Sequence, residues 1–125
     1  MLYIIRGLPG SGKTTLAHRL ASATNGVVYE ADDLFTEAGE YRFDPNKLGE
    51  AHEQCFRNTA AALHEGRTVM VANTFTRRYE WERYQHLAQK LGVPCQILIC
   101  QGDFGSVHDV PAETYHRMKL RWEWK

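Results

Sequence analysis

The stretch Gly7-Leu8-Pro9-Gly10-Ser11-Gly12-Lys13-Thr14 matches the phosphate-binding pattern G-x-x-x-x-G-K-[ST] at every fixed position. An apolar, β-prone run (Leu2–Ile5) precedes it, and a helical segment from Thr15 to Ala23 follows. Glycines let the backbone wrap closely around phosphate oxygens, and the start of the helix offers unpaired N–H groups to the same anion. The sequence therefore predicts a loop that binds the phosphates of a nucleoside triphosphate.

The residues of this loop have distinct expected roles. Lys13 is expected to reach the β and γ phosphates as a catalytic residue, and Thr14 to place its hydroxyl on Mg²⁺. The expected cofactors are therefore ATP and Mg²⁺. The residues expected to contact the nucleotide are Leu8, Pro9, Gly10, Ser11, Gly12, Lys13, Thr14 and Thr15.

Composition limits the class of protein. The 125 residues include fifteen basic and fifteen acidic side chains, so the basic excess typical of proteins that grip long nucleic acids is absent overall. Neither a signal peptide nor an apolar run near the ~18 residues of a membrane helix is visible. Cys55, Cys95 and Cys100 form neither a C-x-x-C pair nor a zinc pattern, which indicates reduced thiols in a cytoplasmic protein. We expect one domain over residues 1–125.

Strand-like and helix-like segments alternate along the chain. The predicted strands are Leu2–Arg6, Val27–Glu30, Thr68–Ala72 and Cys95–Cys100. The predicted helices are 13–23, one that begins at Asp44-Pro45 and ends at Gly66, 77–91, and one from Pro111 that includes Trp122. This alternation predicts a parallel sheet with right-handed crossovers. Together with the phosphate-binding loop, it leads us to expect a three-layer α/β phosphate-loop NTPase fold with about four parallel strands in the order 2-3-1-4 and helices on both faces. The segment 36–43 is predicted to be a loop.

Polar residues follow the second and third strands, at the sheet edge where ligands bind in such folds. Asp32 is expected to accept a proton from an attacking hydroxyl or to help hold Mg²⁺; the alternative is that Asp32 and Asp33 cap a helix or stay solvated. Asn73 and Thr74 end the third strand, where phosphate-loop proteins often carry an acid for the Mg²⁺ water shell. Their amide and hydroxyl could bind water or phosphate, or form a polar turn.

An acceptor groove is expected between the second helix and the 33–43 loop. Arginines near the ligand edge are candidates for phosphate contacts, with solvated surface positions as the alternative. The candidate substrate residues are Asp33, Tyr41, Arg42, His52, Asn73, Thr74, Arg77, His108 and Arg117.

Several ordered motifs resemble a known group of proteins. They are R-G-L-P-G-S-G-K-T-T (6–15), E-A-D-D-L-F (30–35), Y-R-F-D-P (41–45), A-H-E-Q-C (51–55), N-T-F-T (73–76) and V-H-D-V-P (107–111). In this order they resemble the small ATP-binding proteins related to phage polynucleotide 5′-kinases and to the kinase domain of the Nedd4-binding-protein family.

This resemblance implies that Asp32 is the general base for a 5′-hydroxyl acceptor. The chain departs from the polynucleotide kinases at three places: Phe35 replaces an arginine that contacts the acceptor phosphate, Ala72 or Asn73 replaces the acid, and the arginine-rich lid is reduced to 102–106. The leading hypothesis is an ATP-dependent kinase that acts on the hydroxyl of a polynucleotide, nucleoside or other small molecule. The alternative is an ATP-binding module or slow ATPase that controls a partner without kinase activity.

Overall fold

The structure is a computed structural model that describes residues 1–37, 39–104 and 110–125. The strands are β1 (Leu2–Gly7), β2 (Val27–Tyr29), β3 (Thr36–Glu37), β4 (Glu40–Tyr41), β5 (Val69–Asn73) and β6 (Cys95–Cys100). The α-helices are α1 (Lys13–Thr24), α2 (Leu48–His64), α3 (Arg78–Leu91) and α4 (Ala112–Leu120). Short 3-10 helices span Ala31–Phe35 and Pro45–Lys47.

In the described part of the chain, four parallel strands form one sheet in the order β2-β5-β1-β6. This is the predicted order, because β5 and β6 are the third and fourth strands of the sheet along the chain. Strand β5 is buried along its whole length, as expected for a central strand covered on both faces. The register aligns Ile4 with Val71 on one side and with Ile97 on the other.

Helices cover both faces of the sheet, which confirms the predicted three-layer fold. Alternate residues of a strand point to opposite faces. Leu2 and Ile4 of β1 therefore join the core under α2 and α3, while Ile5 joins the core under α1 with Ala17. No helix among the described residues is long and apolar enough to span a membrane.

Four local predictions need correction. The predicted loop 36–43 contains a two-stranded antiparallel ladder in which Thr36 pairs with Tyr41. The second helix begins as a 3-10 turn capped by Asp44, which accepts from the Asn46 N–H at 3.0 Å, and continues as α2 from Leu48. Strand β2 ends at Tyr29, one residue early, because the 3-10 helix follows at once. Helix α4 ends at Leu120, so Trp122 lies beyond it.

Residues 121–125, which we call the 121–125 segment, pack against the end of β1. The Arg6 side chain is 1% exposed, and its guanidinium lies 3.6 Å from the ring centre of Trp81 and 4.3 Å from that of Trp122. It donates hydrogen bonds to the carbonyls of Phe75 (3.0 Å) and Glu123. Burial lowers the pKa of Arg6 to about 10. This cation therefore joins the start of the phosphate loop to the 121–125 segment.

Candidate functional site

The predicted phosphate-binding loop connects β1 directly to α1. Gly10 and Gly12 have φ values of 79° and 93°, which favour glycine over any residue with a Cβ. Gly12 is the N-cap of α1, with no capping side chain and no acidic residue in the first turn. The first N–H groups of α1 thus keep their capacity for an external anion, and the positive end of the helix dipole adds to it.

The segment after β6 packs on this loop. The Phe104 N–H donates to the Gly10 carbonyl at 2.8 Å. A Cβ on Gly12 would lie 3.1 Å from Phe104 Cε2, although the Phe104 ring is 80% exposed. The glycine at position 12 is therefore favoured by its φ, whereas the exposed ring could shift by the few tenths of an ångström that a Cβ would need.

Thr14 and Lys13 both lie near carboxylates that the chain brings from the end of β2. The Thr14 hydroxyl donates to Glu30 Oε1 at 2.6 Å. Burial lowers the pKa of Lys13, and the negative charges of Glu30 and Asp32 oppose this effect. Burial also raises the pKa of Glu30, against the hydrogen bond from Thr14. The loop and the end of β2 therefore form one charged site.

Asp32 is half-buried in the 3-10 helix that follows β2. The Tyr41 hydroxyl donates to Asp32 Oδ1 over 3.4 Å, and burial beside this carboxylate raises the pKa of Tyr41 to about 12. His52 on α2 is also within electrostatic range of Asp32, but burial is the larger effect and lowers the His52 pKa. Asp32 and Tyr41 therefore meet through a hydrogen bond, whereas His52 is within electrostatic range of Asp32.

Asp33 and Asn73 form contacts within the fold. Asp33 Oδ2 accepts from the Glu30 N–H at 2.9 Å, which orders the turn after β2. The Asn73 side chain is buried: its Oδ1 accepts from the Ala31 N–H at 2.8 Å, and its Nδ2 donates to Cys55 Sγ at 3.7 Å. Asn73 thus fastens the end of β5 to the start of the 3-10 helix. Its contact with a substrate stays a prediction.

The remaining predicted substrate residues are more scattered. Arg42 is exposed and pairs with Glu40 at 2.9 Å, while the Arg77 guanidinium lies 3.9 Å from the Glu123 carboxylate. Thr74 is half-buried after β5, and Arg117 is exposed on α4. His108 lies outside the described residues.

Two clefts flank α2. The larger, of about 410 Å³, lies between α2 and the segment after β2. Its lining residues are Glu30, Asp33, Leu34, Thr36, Ala51, Gln54, Cys55 and Asn58. The smaller, of about 260 Å³, lies between α2 and α3 and includes His52. Of the candidate substrate residues, Asp33 lines the larger cleft and His52 the smaller one, whereas Tyr41 and Arg42 line neither of these two.

Sequence reasoning missed Glu30, Gln54 and Asn58, which line the larger cleft; Glu30 also accepts from Thr14. Glu30 could have been found, because an acid at the carboxyl end of a parallel strand faces the same edge as the phosphate loop. Gln54 and Asn58 carried no signal, since a polar residue on a helix is usually only solvated.

The donor atoms fit Mg²⁺ bound together with a nucleotide. Thr14 offers a hydroxyl and Glu30 a carboxylate, both hard oxygen ligands. Within the ranges that the structure describes, no cluster of three or more acidic, His or Cys residues could hold a metal alone. Mg²⁺ typically binds through one or two carboxylates plus substrate phosphates, so a site with one carboxylate and one hydroxyl beside the phosphate loop fits this ion.

A family model described as "AAA domain" matches residues 2–104. This range contains β1 to β6, the phosphate loop and the acids Glu30, Asp32 and Asp33. The chain belongs to this AAA domain family. The predicted resemblance to the Nedd4-binding-protein family is confirmed by a human relative.

Human NEDD4-binding protein 2 is 40% identical to this AAA domain over 93 residues, which are 72% of the chain and 5% of that protein. The chain thus spans about a twentieth of this relative. The Pnkp1/Rnl/Hen1 RNA repair complex matches with a TM-score of 0.63 at 18% identity, over 94% of this chain and 35% of that one. A gluconokinase from Sinorhizobium meliloti 1021 has the same TM-score at 15% identity, over 97% and 74% of the two chains. The fold is therefore that of phosphate-loop kinases.

Proposed function

We propose that this chain transfers the γ-phosphoryl group of ATP to a hydroxyl group. The observation that carries the proposal is the position of Asp32, whose carboxylate is within electrostatic range of Lys13 and accepts from Tyr41. A carboxylate beside a phosphate-loop lysine can orient and deprotonate an acceptor, while the lysine stabilises charge on the transferred group. Such reactions depend mostly on positioning and on charge stabilisation.

Each residue then has a role in one balanced step. The acceptor oxygen forms a bond to the γ-phosphorus, the bond to the β-phosphate oxygen breaks, and ADP leaves. Asp32 takes the proton of the acceptor hydroxyl. Lys13 and the N–H groups at the start of α1 bind the phosphate oxygens.

Mg²⁺ would be held by Thr14. Asp32 is the other expected ligand of this ion, and here we assign it the alternative role of proton acceptor. When bound, the ion neutralises charge on the phosphate oxygens. Thr14 is an exposed residue in the first turn of α1, directly after the phosphate loop, which supports this role.

The acceptor is either a small hydroxyl compound or the 5′-hydroxyl of a nucleic acid. The larger cleft offers carboxylates and amides, such as Asp33, Gln54 and Asn58, that could bind hydroxyl groups. A gluconokinase and an RNA repair complex resemble this chain equally well in fold, so the fold does not decide between these acceptors. Use of ATP and the three free thiols (Cys55, Cys95, Cys100) support a cytoplasmic location.

One observation favours the alternative, an ATP-binding module or slow ATPase that controls a partner. Strand β5 ends in Ala72 and Asn73, so this strand brings no acid to the site. Such a protein would bind ATP without transferring the phosphoryl group to a small acceptor.

The test is transfer of labelled γ-phosphate from Mg-ATP to a panel of acceptors. The panel contains 5′-hydroxyl DNA and RNA oligomers, nucleosides, nucleoside monophosphates and small sugars. Lys13→Ala and Asp32→Asn should each abolish the labelled product, and Asp32→Asn should leave ATP binding intact. Asp44→Asn is the matched control, because asparagine caps a helix as well as aspartate does and Asp44 lies outside the proposed site.

A labelled product that is lost in both variants supports the kinase and identifies its substrate class. ATP binding without any product, measured by calorimetry, supports the binding module. Unchanged ATP binding in Lys13→Ala would contradict both.

A further inference from the structure

Glu30 is the carboxylate nearest to the hydroxyl that the phosphate loop offers to a metal. It follows β2 directly, and its Oε1 accepts the Thr14 hydroxyl proton at 2.6 Å. A hydroxyl that donates its proton in this direction keeps its oxygen lone pairs for a cation. The Thr14 hydroxyl oxygen and Glu30 Oε1 lie side by side, so both can bind one Mg²⁺ ion.

The sheet brings Glu30 beside the strand end that lacks an acid. Tyr29 pairs with Val71 in the parallel register of β2 and β5, so Glu30 stands level with Ala72 one strand away. Asn73, the next residue of β5, has both ends of its amide engaged by Ala31 and Cys55. The carboxylate that β5 lacks can therefore come from its neighbour β2.

The electrostatic environment of Glu30 also indicates a cation. Glu30 is half-buried, and no salt bridge within 4 Å involves it in the described ranges of the chain. Asp32 and Asp33 repel its negative charge, which leaves Lys13 as its opposing charge. A partly buried carboxylate costs free energy unless a cation balances it, and a divalent ion would supply the missing charge.

We propose that Glu30, together with Thr14, fixes the Mg²⁺ ion of bound Mg-ATP in place of an acid at the end of β5. This inference rests on the proposed use of Mg-ATP. A merely structural Glu30 would need only to accept the Thr14 hydrogen bond, and a glutamine could do the same. Glu30→Gln therefore separates the charge of this residue from its hydrogen bond.

The experiment measures the affinity of a non-hydrolysable ATP analogue, adenylyl imidodiphosphate, by calorimetry in excess EDTA and in saturating MgCl₂. We expect Glu30→Gln to reduce the gain in affinity caused by Mg²⁺ by about 10- to 100-fold, the range found when partners of metal ligands are removed. Its metal-free affinity should stay equal or rise, because a negative charge near the phosphates is gone. Mn²⁺ titration followed by electron paramagnetic resonance reports the same loss directly.

Glu65→Gln is the matched control, because Glu65 is exposed after α2, near the start of β5 and hence at the opposite edge of the sheet. It should keep the full gain. Glu30→Asp retains the charge and should keep more of the Mg²⁺-dependent gain in affinity than Glu30→Gln. If the glutamine variant does not fold, Glu30→Asp is compared with wild type instead.

The outcomes separate the two proposals. A full Mg²⁺ gain in a folded Glu30→Gln variant, or no gain in the wild type that binds the analogue, overturns the role of Glu30 and leaves nucleotide binding intact. No binding by the wild type under either condition overturns the proposed function itself. A gain lost in Glu30→Gln with EDTA affinity preserved supports the metal role.

Discussion

Arg6 is the residue whose replacement should most clearly test how the molecule is held together. Its guanidinium is buried between Trp81 and Trp122 and donates to the carbonyls of Phe75 and Glu123, with a longer hydrogen bond of 3.5 Å to that of Trp124. Arg6→Met keeps an apolar stem of similar length but removes the donors and the charge. The substitution therefore removes the hydrogen bonds that connect the 121–125 segment to the end of β1.

The size of the effect follows from these contacts. Two hydrogen bonds from a charged donor contribute roughly 1.5–3 kcal/mol each, and each ring contact adds about 0.5–2 kcal/mol. The cost of burying the cation, seen in its pKa lowered to about 10, offsets part of this sum. We expect a net loss of about 3 kcal/mol, which for a domain of this size corresponds to a decrease in Tm of roughly 12 °C.

The assay is urea unfolding followed by tryptophan fluorescence. Arg6→Lys keeps the charge but cannot reach both carbonyls at once, so it should lose an intermediate amount. Arg67→Met, an exposed arginine before β5, is the matched control and should change the free energy of unfolding by less than about 0.5 kcal/mol. If Arg6→Met loses no more than this control, Arg6 does not hold the 121–125 segment.

A double-mutant cycle with Trp122→Leu tests the contact itself. If the cation binds the ring, the two substitutions together should cost less than the sum of their separate effects. Strict additivity would mean that Arg6 and Trp122 contribute independently.

Two further predictions concern the phosphate loop. Glu30→Gln should raise Tm at neutral pH. Burial raises the Glu30 pKa in the folded state, so wild-type stability falls as the pH rises through that raised value. The advantage of the variant should vanish in a thermal melt at about pH 3, well below the unfolded-state pKa, where the wild-type carboxyl is protonated in both states. Gly12→Ala should cost roughly 1–3 kcal/mol through its φ of 93° and the contact with Phe104. By contrast, Gly49→Ala in open space on α2 should be neutral or stabilising; equal melting curves for the two alanine variants would refute the strain at Gly12.

The sequence alone determined the parts of the fold that depend on neighbouring residues. The loop from Gly7 to Thr14 was recognisable because its glycines, lysine and threonine are contiguous and stand between a strand and a helix. The parallel sheet followed from the alternation of apolar strands with amphipathic helices, since parallel strands need such crossovers. The strand order was expected from the phosphate-loop fold that the Gly7–Thr14 motif indicates. Asp32 was found because it directly follows a strand at the edge that carries the loop.

Tertiary structure alone decided which side chains meet. The hydrogen bond from Thr14 to Glu30 joins different elements, Asn73 reaches Ala31 across 42 positions, and the Arg6–Glu123 contact spans 117. No local propensity encodes such pairs, because each depends on the register of the sheet and on the path of the 121–125 segment. Sequence could thus predict that β5 ends without an acid. Only the register of the sheet places Glu30 level with Ala72, at that end of β5.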